Sequence, residues 1–491
     1  MKKTNLKYNT LILSAVLLLS FGCKKTLDVN TDPNNPLIES ATPEVLFPSA
    51  VLSTAGRVGG ELTILGGMWS QYFTQANSSN QYKSIDSYNL TKNDINGNYQ
   101  ELFAGALADY QLALSKAQTR SDWRYNLMAT VMKAYTFEIL VDLYDKVPYT
   151  EAFQGKANLQ PKFDDGDKIY TALLGEIDAA LAKDYRTIPL TAKQQKTDFL
   201  FNGDMELWTQ FANTLKLKMY LRMINANPAA AQAGIAKLYQ SGATFLSINA
   251  GIAKFDGTPD NSNPFYEYNI RRLNVATNIR ASVTFSSWLV NNGDPRAITY
   301  FGTANPTAIH QGDFSASAID QPTYANATVF SQKATDPVWF ITTAESYFMQ
   351  AEALERYFGG TGAKAMYDLG LAAAFKQSNQ TLSPDLIATY AYPTGTLESK
   401  VEAIITQKWA SFPGSHDLEA FFEQQRTGYP KISAVYSTDA NYVPGQLVYA
   451  KNGVTPGKQF PRRLVFPASS VDRNKNAPAL VPITTKVWWA K

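Results

Sequence analysis

The stretch FNGDMELWTQFANTLKLKMYLRM, residues 201–223, decides the fold class of this chain. Its apolar residues recur every four positions, at Leu207, Phe211, Leu215 and Met219. Side chains at i and i+4 lie on one face of an α-helix, whereas a half-buried strand alternates apolar and polar residues with a period of two. The stretch therefore predicts an amphipathic helix whose apolar face packs against a core, and Trp208 is predicted to belong to that core.

The same helical spacing extends through much of the chain. It returns in three segments: at Phe103, Leu107, Tyr110, Leu114 and Ala117; at Met128, Met132, Tyr135, Ile139 and Leu143; and at Ala344, Phe348, Ala351, Leu354 and Phe358. Two further helices are predicted around 362–377 and 397–412. Helices that come in antiparallel pairs suggest a repeat solenoid, although no clean tetratricopeptide consensus can be read. The pattern predicts a mainly α fold.

Two segments lack this periodicity. Residues 246–335 and 427–491 are punctuated by Gly, Pro, Asn, Asp and Ser, yet they contain many aromatic residues. Aromatic residues argue against disorder, and long loops inside compact domains are commonly functional. We therefore expect a single domain over 43–491, with a helical scaffold at about 43–245 and 340–425 and with the two loop-rich segments as insertions.

Composition excludes several kinds of site. The chain has 491 residues, of which 45% are hydrophobic, so it can form a large core; it contains one Cys and two His. One thiol allows no disulfide within the chain. Cys23, His310 and His416 are too far apart in sequence to form a recognisable zinc motif. Nothing marks a metal site, and no cofactor is expected.

The N-terminus resembles a bacterial lipoprotein signal. Three lysines precede the apolar run 11–21, which is too short to span a bilayer and is followed by Gly22 and Cys23. We interpret 1–22 as a signal peptide and Cys23 as the lipidated first residue of a tether over 23–42. The alternative is an ordinary signal peptide with an accidental cysteine. Without the three leader lysines the formal net charge falls from +3 to +3 − 3 = 0, so no basic surface for nucleic acid is expected.

Nine short motifs follow one another along nearly the whole chain. They are LDVNTDPNNP (27–36), DLYDKVPYTEAF (142–153), the opening stretch (201–223), NPFY (263–266), DPR (294–296), AESYFMQAEA (344–353), QKWASF (407–412), RTGYP (426–430) and PRRLVFP (461–467). Together they resemble the SusD/RagB family of outer-membrane nutrient-binding lipoproteins. The chain departs from the family pattern at Asp145, where Gly is usual, and before Arg426, where Trp is more typical.

The resemblance implies a fold, a partner and a location. The fold is SusD-like, with tetratricopeptide-like helix pairs that carry a loop-rich ligand-binding face. The implied partner is a SusC-like TonB-dependent β-barrel transporter, which the lipoprotein covers as a lid. The implied location is the outer membrane, where a lipid anchor holds the protein facing outside. The implied function is capture of oligosaccharides; the alternatives are peptide capture as in RagB-like proteins, a glycoside hydrolase, or a scaffold that binds only protein.

No residue pattern supports catalysis. One predicted helix carries a charged series typical of ion pairs, at Glu345, Glu352, Glu355 and Arg356. Ser415 and His416 are adjacent in sequence, which is poor geometry for a nucleophile and its base. No pair of carboxylates has a recognisable glycosidase arrangement. The protein is therefore expected not to be an enzyme.

Two loop segments have the composition of a sugar-binding site. Aromatic rings can stack on sugar rings, while planar amide and guanidinium groups bind hydroxyls. QANSSNQYKSIDSYN at 75–89 and the segment 260–302 combine both kinds of side chain. The candidate ligand residues are Asn77, Asn80, Gln81, Tyr82, Tyr266, Arg271, Trp288 and Tyr300. The competing interpretation of each ring is packing in the core; Tyr82 and Trp288 are the best candidates.

Overall fold

The computed structural model describes residues 41–317 and 319–491. The predicted signal peptide, the predicted lipidation site Cys23 and most of the predicted tether therefore lie outside the described residues. The longer helices are α1 (Pro43–Val58), α2 (Glu61–Trp69), α3 (Ala108–Thr119), α4 (Trp123–Tyr144), α5 (Gly166–Leu181), α6 (Met205–Arg222), α7 (Pro228–Gln240), α8 (Val283–Asn291), α9 (Thr343–Tyr357), α10 (Ala363–Gln377), α11 (Leu397–Ala410) and α12 (Asp417–Thr427).

Short elements connect these helices. Short α-helices span Lys83–Asp86, Asn96–Glu101, Ala192–Gln195, Pro264–Tyr266, Arg296–Phe301, Pro384–Thr389 and Ala468–Val471; π-helical turns span Leu102–Leu107 and Glu267–Arg271; and 3-10 turns span Gly155–Ala157, Pro322–Asn326 and Pro456–Lys458. The strands are β1 (Phe73–Gln75), β2 (Lys146–Val147), β3 (Asp164–Asp165), β4 (Ala250–Ile252), β5 (Ile279–Ala281) and β6 (Val338–Ile341). They form three antiparallel pairs, β1–β5, β2–β3 and β4–β6.

Helix α6, predicted from the opening stretch, begins where Asp204 caps it. The Asp204 carboxylate accepts hydrogen bonds from the backbone N–H groups of Glu206 (2.9 Å) and Leu207 (3.1 Å), which lack partners within the helix. The helix is confirmed, but it is more buried than an amphipathic helix should be. Lys218 and Arg222, on its polar side, are also buried, so α6 lies inside the protein rather than on its surface.

Consecutive helices pack as pairs with short connections, which gives the tetratricopeptide-like scaffold. Helices α3 and α4, α6 and α7, and α9 and α10 pack in this way. In the last pair, Gly359 and Gly360 end the first helix with positive φ angles of 63° and 76°. Gly370 lets the two helices approach closely, because a Cβ atom there would lie 2.7 Å from the ring of Phe348. The predicted mainly α fold of helix pairs is confirmed.

The loop-rich segments differ in part from the prediction. Residues 246–335 contain helix α8 and the short helix Arg296–Phe301, whose length was too small to show a clear period. Among the described residues of 427–491, the elements are no longer than four residues. Backbone hydrogen bonds tie this segment to the scaffold, for example from Leu464 N to Leu143 O (2.8 Å). The C-terminal loops are therefore ordered by long-range contacts rather than by secondary structure.

A cluster of buried charges lies between α4, α6, α9, α11 and α12. This ion cluster consists of Glu138, Asp142, Lys218, Arg222, Glu345, Glu352, Lys408, Glu419, Glu423 and Arg426, and all ten residues are buried. Each cation contacts carboxylates on other helices; Lys218, for example, lies 2.9 Å from Glu138 and 3.5 Å from Glu419. Unpaired buried charges are strongly unfavourable, so the cluster restricts these helices to an arrangement that keeps every charge paired.

Candidate functional site

The structure brings the two predicted loop segments together. Strand β1 pairs with β5, so that Gln75 lies opposite Ile279. The Gln75 side chain reinforces this contact, because its Oε1 accepts from the backbone N–H of Tyr82 (2.6 Å) and its Nε2 donates to the carbonyl of Asn278 (3.2 Å). The two segments were predicted to share a ligand site, and their proximity is consistent with that prediction.

Asp86 fixes the first of these segments. One carboxylate oxygen accepts from Thr74 Oγ1 (2.6 Å) and from the backbone N–H of Gln75 (2.9 Å), while the other accepts from Gln311 Nε2 (2.6 Å). Burial raises the pKa of Asp86 to about 6, although these three hydrogen bonds favour its ionised form. The buried carboxylate therefore has a structural role, which is to hold the loop against the segment that contains Gln311.

A cleft of about 150 Å³, lined by both aromatic and polar residues, opens beside the second segment. Its walls include the rings of Phe265, Tyr300, Phe330 and Trp339 and the polar side chains of Asn263, Thr299, Ser331, Gln332, Lys333, Asp336, Gln377, Ser378 and Ser415. Aromatic rings combined with a few polar groups are typical of small-molecule sites. This cleft is the candidate functional site.

Strand β6 presents Trp339 to the cleft. Its neighbours Val338 and Phe340 are buried, while Trp339 is half-buried, because successive side chains of a strand point to opposite faces. Gly251 of β4 lies opposite Trp339, and a Cβ atom at that position would lie only 2.1 Å from the carbonyl oxygen of Val338. Glycine at position 251 therefore permits the close strand pairing that sets the position of the Trp339 ring.

Two amides in the cleft wall each keep one buried polar atom without a partner among the described residues. Gln332 Oε1 accepts from Asn269 Nδ2 (3.3 Å), whereas Gln332 Nε2 is unpaired. Gln377 Nε2 donates to the carbonyl of Ser411 (3.4 Å), whereas Gln377 Oε1 is unpaired. A buried polar atom without a partner costs about 1–3 kcal/mol. A ligand that supplied one acceptor and one donor would recover this loss.

Of the predicted residues, Tyr300 lines the cleft, but neither Tyr300 nor Tyr82 has the exposed ring that was expected. Both are buried, at 8% and 6% exposure. The hydroxyl of Tyr300 donates to the carbonyl of Ala410 (3.1 Å), and that of Tyr82 donates to the carbonyl of Tyr268 (3.4 Å). The expectation of exposure was wrong because distant segments of the chain cover both rings. The ligand-binding role of these residues stays a prediction.

Trp288 is half-buried and belongs to helix α8 rather than to a loop. Its ring stacks on Tyr390 at 5.6 Å with an interplanar angle of 9°, and it meets Trp409 edge-on at 5.8 Å. On another side, Gly445 packs so closely that a Cβ atom there would lie 2.5 Å from the indole. These contacts occupy the ring faces that a sugar would need, so the structure favours a packing role for Trp288.

Tyr266 and Arg271 contact each other at the edge of a second groove. The Arg271 guanidinium lies 5.4 Å from the centre of the Tyr266 ring and is bound by the Glu267 carboxylate (2.7 Å) and the Gly257 carbonyl (2.5 Å). The groove itself, of about 360 Å³, includes Glu267 and its neighbour Tyr268. The Arg271 guanidinium therefore already binds groups of the protein itself.

The remaining predicted residues are polar and accessible in different degrees. Asn77 is half-buried, and its Nδ2 donates to the carbonyl of Ala316 (3.3 Å). Asn80 and Gln81 are exposed. They lie on the predicted loop and do not line the cleft. Their ligand-binding role stays a prediction.

Sequence reasoning missed Trp339, Gln332 and Gln377, which the structure places in the cleft. One signal was available for Trp339, because the short run VWFI at 338–341 consists of β-branched and aromatic residues, which are typical of a strand. No sequence signal marks the two glutamines. They meet only because α10 packs beside the segment that precedes β6.

The family of this protein follows from its sequence and agrees with the fold. Residues 34–450 match the SusD-like family model that is described as "Starch-binding associating with outer membrane". This chain belongs to the SusD-like family. The match covers most of the chain, including α1 to α12 and all three strand pairs. The family resemblance inferred from the nine motifs is thereby confirmed.

Solved SusD-like structures share this fold. A SusD homolog from Bacteroides uniformis superposes with a TM-score of 0.73 at 22% identity, covering 91% of this chain and 99% of its own. A chitin-binding SusD homolog from Flavobacterium johnsoniae gives a TM-score of 0.72 at 21% identity, with 90% and 97% covered. A SusD-like protein from Bacteroides thetaiotaomicron gives 0.70 at 22% identity, with 90% and 98% covered. No functionally curated protein matches significantly.

SusD-like proteins bind ligands and are associated with the outer membrane. Among the described residues, no helix is long and apolar enough to cross a bilayer. The predicted lipidation of Cys23 and the outward orientation remain proposals.

The acidic residues of helix α9 pair with cations, as the sequence indicated. The Glu352 carboxylate accepts hydrogen bonds from both Nη atoms of Arg426 (2.7 and 2.6 Å), and the Glu355 carboxylate forms an ion pair with Lys400 (2.6 Å). The pKa of Glu352 falls to about 2 because these guanidinium contacts outweigh the opposing effect of burial. A carboxylate that stays ionised in a saturated ion pair is poorly suited to proton transfer.

Glu345, His416 and Glu419 could in principle share a metal ion. One ligand atom from each lies within 4.8 Å of the others. However, Lys408 lies 3.7 Å from Glu345, and Lys218 lies 3.5 Å from Glu419. A divalent cation would have to compete with two buried ammonium groups, so this grouping fits an ion-pair cluster better than a metal centre.

Proposed function

We propose that this SusD-like protein captures oligosaccharides at the cell surface and delivers them to a SusC-like TonB-dependent transporter. A lipid on Cys23 would hold it at the outer membrane. The observation that carries the proposal is the cleft, which combines the half-buried ring of Trp339 with one unpaired donor, Gln332 Nε2, and one unpaired acceptor, Gln377 Oε1. Sugar hydroxyls can satisfy both atoms while a pyranose ring contacts the indole.

The size of the cleft supports recognition of a sugar rather than an extended peptide. A volume of about 150 Å³ accommodates roughly one sugar ring. The same donor and acceptor also suit an acetamido group, which carries one of each. Because one structural neighbour is a chitin-binding protein, chitooligosaccharides are a rational first ligand series.

Calorimetric titration tests the proposal. The purified mature chain is titrated with chito-, malto- and cello-oligosaccharides of matched length and with an unstructured peptide. We expect binding of at least one oligosaccharide series, and Trp339→Ala is expected to weaken it by about fivefold or more, since ring stacking contributes on the order of 1 kcal/mol. Trp488, also half-buried but outside the cleft, supplies the control Trp488→Ala, which should bind normally.

Two results would contradict this function. If Trp339→Ala binds sugars as well as the parent while both proteins melt cooperatively, the cleft is not the site. If only the peptide binds, and Trp339→Ala abolishes that binding, the protein captures peptides instead. Chromatography of the recovered oligosaccharides should show no cleavage; products that disappear on mutation of one carboxylate would indicate a hydrolase.

A further inference from the structure

Two side-chain amides form a hydrogen-bonded pair at the wall of the aromatic cleft. Asn269, which is 0% exposed, lies in the π-helical turn Glu267–Arg271, and its Nδ2 donates to Gln332 Oε1 (3.3 Å). Gln332 lines the cleft, whereas Asn269 contacts Gln332 without lining it. The other polar atom of each amide, Asn269 Oδ1 and Gln332 Nε2, is buried and has no partner among the described residues. This amide pair therefore has one hydrogen bond inside and one unpaired atom at either end.

The polarity of the amide pair is reversible. The terminal torsions of Asn and Gln side chains are broad and roughly two-fold, and the oxygen and nitrogen of an amide are nearly interchangeable in shape. If both amides turn over, Gln332 Nε2 donates to Asn269 Oδ1, and Gln332 presents the acceptor Oε1 in place of a donor. Because neither outer atom has a partner to lose, the two arrangements contain the same number of hydrogen bonds.

Two other amides of the cleft wall have a fixed polarity. Gln377 Nε2 donates to the carbonyl of Ser411 (3.4 Å), and turning this amide over would place two acceptors together. Asn263 is fixed at both ends, because its Nδ2 donates to the carbonyl of Asp336 (3.0 Å) and its Oδ1 accepts from the backbone N–H of Tyr266 (3.1 Å). Of these two residues, Gln377 has an unpaired atom, Oε1, and that atom is always an acceptor.

We propose that the Asn269–Gln332 pair is a reversible hydrogen-bonding group that sets the ligand specificity of the cleft. This inference rests on the proposed oligosaccharide function. Gln377 requires a donor from the ligand, whereas Gln332 takes either a donor or an acceptor, because the pair turns over to match it. The ligand class is a sugar that carries an obligatory hydroxyl or N–H group for Gln377 and a hydroxyl, carbonyl or ammonium group for Gln332. Asn269 is a positioning residue, since it acts on the ligand only through Gln332.

Singly substituted sugars test this specificity in calorimetric titrations of the mature chain. Maltotriose, cellotriose and chitotriose are prepared with one hydroxyl at a time replaced by fluorine, which cannot donate, or by an ammonium group, which cannot accept. Fluorine at the position that faces Gln377 should lower the affinity about tenfold, because a buried acceptor then stays unpaired. At the position that faces Gln332, either substituent should change the affinity by less than about threefold.

Gln332→Glu should remove this tolerance. The new carboxylate has nearly the same size, accepts from Asn269 Nδ2 and presents only an acceptor to the cleft. The unsubstituted trisaccharides should bind within about threefold of the parent affinity. Fluorine at the position that faces residue 332 should now lower the affinity about tenfold, while ammonium should still be accepted.

Asn269→Asp should change the preference in the same way, although residue 269 does not line the cleft. At alkaline pH the new carboxylate is ionised, so that Gln332 must donate to it and present Oε1 to the ligand. A purely structural role of Asn269 would change stability without changing the preference between fluorine and ammonium.

Two variants serve as controls. Gln350 is a half-buried glutamine outside the cleft, and Gln350→Glu should keep the tolerance of the parent. Asp336 is a half-buried carboxylate of the cleft wall that could itself attract an ammonium group. Asp336→Asn should leave the substituent pattern unchanged if Gln332 is the group that accepts the ammonium.

Nuclear magnetic resonance of the ligand-free protein separates this inference from the proposed function. With isotope-labelled Asn and Gln, the side-chain amide signal of Asn269 should report two exchanging states in the parent and one state in Gln332→Glu. Rejection of ammonium at the position that faces Gln332 would show a fixed donor and overturn the inference, while the sugar function stands. Two exchanging states without any sugar binding that depends on Trp339 would support the reversible pair and refute the sugar function. A single state without sugar binding would overturn both.

Discussion

Replacing Arg222 by Met tests whether the ion cluster holds the scaffold together. The Arg222 guanidinium contacts three carboxylates, those of Asp142 (3.1 Å), Glu419 (2.6 Å) and Glu423 (2.8 Å), and thereby joins α4, α6 and α12. Arg222 is 1% exposed, so water cannot replace the lost contacts. Methionine preserves much of the apolar volume of the side chain, and the substitution therefore reports mainly on charge.

Removal of one partner from a buried ion pair typically costs about 3–5 kcal/mol of unfolding free energy. The loss should also depend on pH. Burial raises the pKa of Asp142 to about 6, although Arg222 opposes this rise. The folded state therefore binds a proton on Asp142 more tightly than the unfolded state does. The contribution of protonated Asp142 to the free energy of unfolding is greatest at low pH and declines as the pH rises through about 6. Without Arg222 the folded pKa should rise further, so the variant should lose more stability at pH 8 than at pH 5.5.

Urea unfolding monitored by circular dichroism at both pH values measures this difference. The control is Arg120→Met, because Arg120 is exposed and forms a single ion pair with Glu44 at 3.4 Å. Such a pair contributes at most about 1 kcal/mol. If Arg222→Met costs no more than the control, or costs the same at pH 8 and pH 5.5, then the cluster does not restrain the helices electrostatically.

Three further predictions address packing, the cleft and the anchor. Trp288→Ala should lower the free energy of unfolding in urea by about 3 kcal/mol, because it removes the ring stacked on Tyr390. The folded variant should bind sugars normally. Lost binding with unchanged stability would indicate that Trp288 is a ligand residue. Gly251→Ala should lower the free energy of unfolding by about 1–3 kcal/mol and should also weaken sugar binding, because the added methyl group would push β6 and Trp339 away. Unchanged melting and titration curves would contradict this prediction. Cys23→Ala should release a folded protein from the membrane fraction, as judged by immunoblotting, because acyl chains supply the anchor. Intact-mass analysis of the parent protein that shows an unlipidated mature N-terminus would refute this prediction.

Local helical patterns predicted the scaffold well. The segments predicted around 362–377 and 397–412 form α10 and α11 at Ala363–Gln377 and Leu397–Ala410. These helices are long enough for their period to be read without knowledge of the fold. Helix α8 has nine residues, and it was missed because its sequence lies among turn-forming residues.

The candidate site was less predictable from sequence. The two predicted segments do meet, but exposure of each ring depends on residues far away in the chain. Trp288 and Trp339 are both half-buried, but Trp288 stacks on Tyr390, about a hundred positions later, whereas Trp339 lines the cleft. Trp288 lies inside the loop-rich segment and Trp339 lies just after it, and composition does not distinguish the two tryptophans. Burial is a property of the packed structure rather than of the local sequence.

The sequence by itself determined the family, the helical class of the fold and the helix positions, because motif order and apolar periodicity are written along the chain. Only the tertiary structure decided how polar groups are used. Lys218 and Arg222 have the spacing of a solvent-facing stripe, yet they are buried, and carboxylates from two other helices, α4 and α12, pair with them. Gln332 and Gln377 have no sequence signature, yet packing leaves one atom of each unpaired in a cleft. Pairing of charges and hydrogen bonds depends on distances of a few ångströms between segments that are remote in sequence, and the folded chain alone sets those distances.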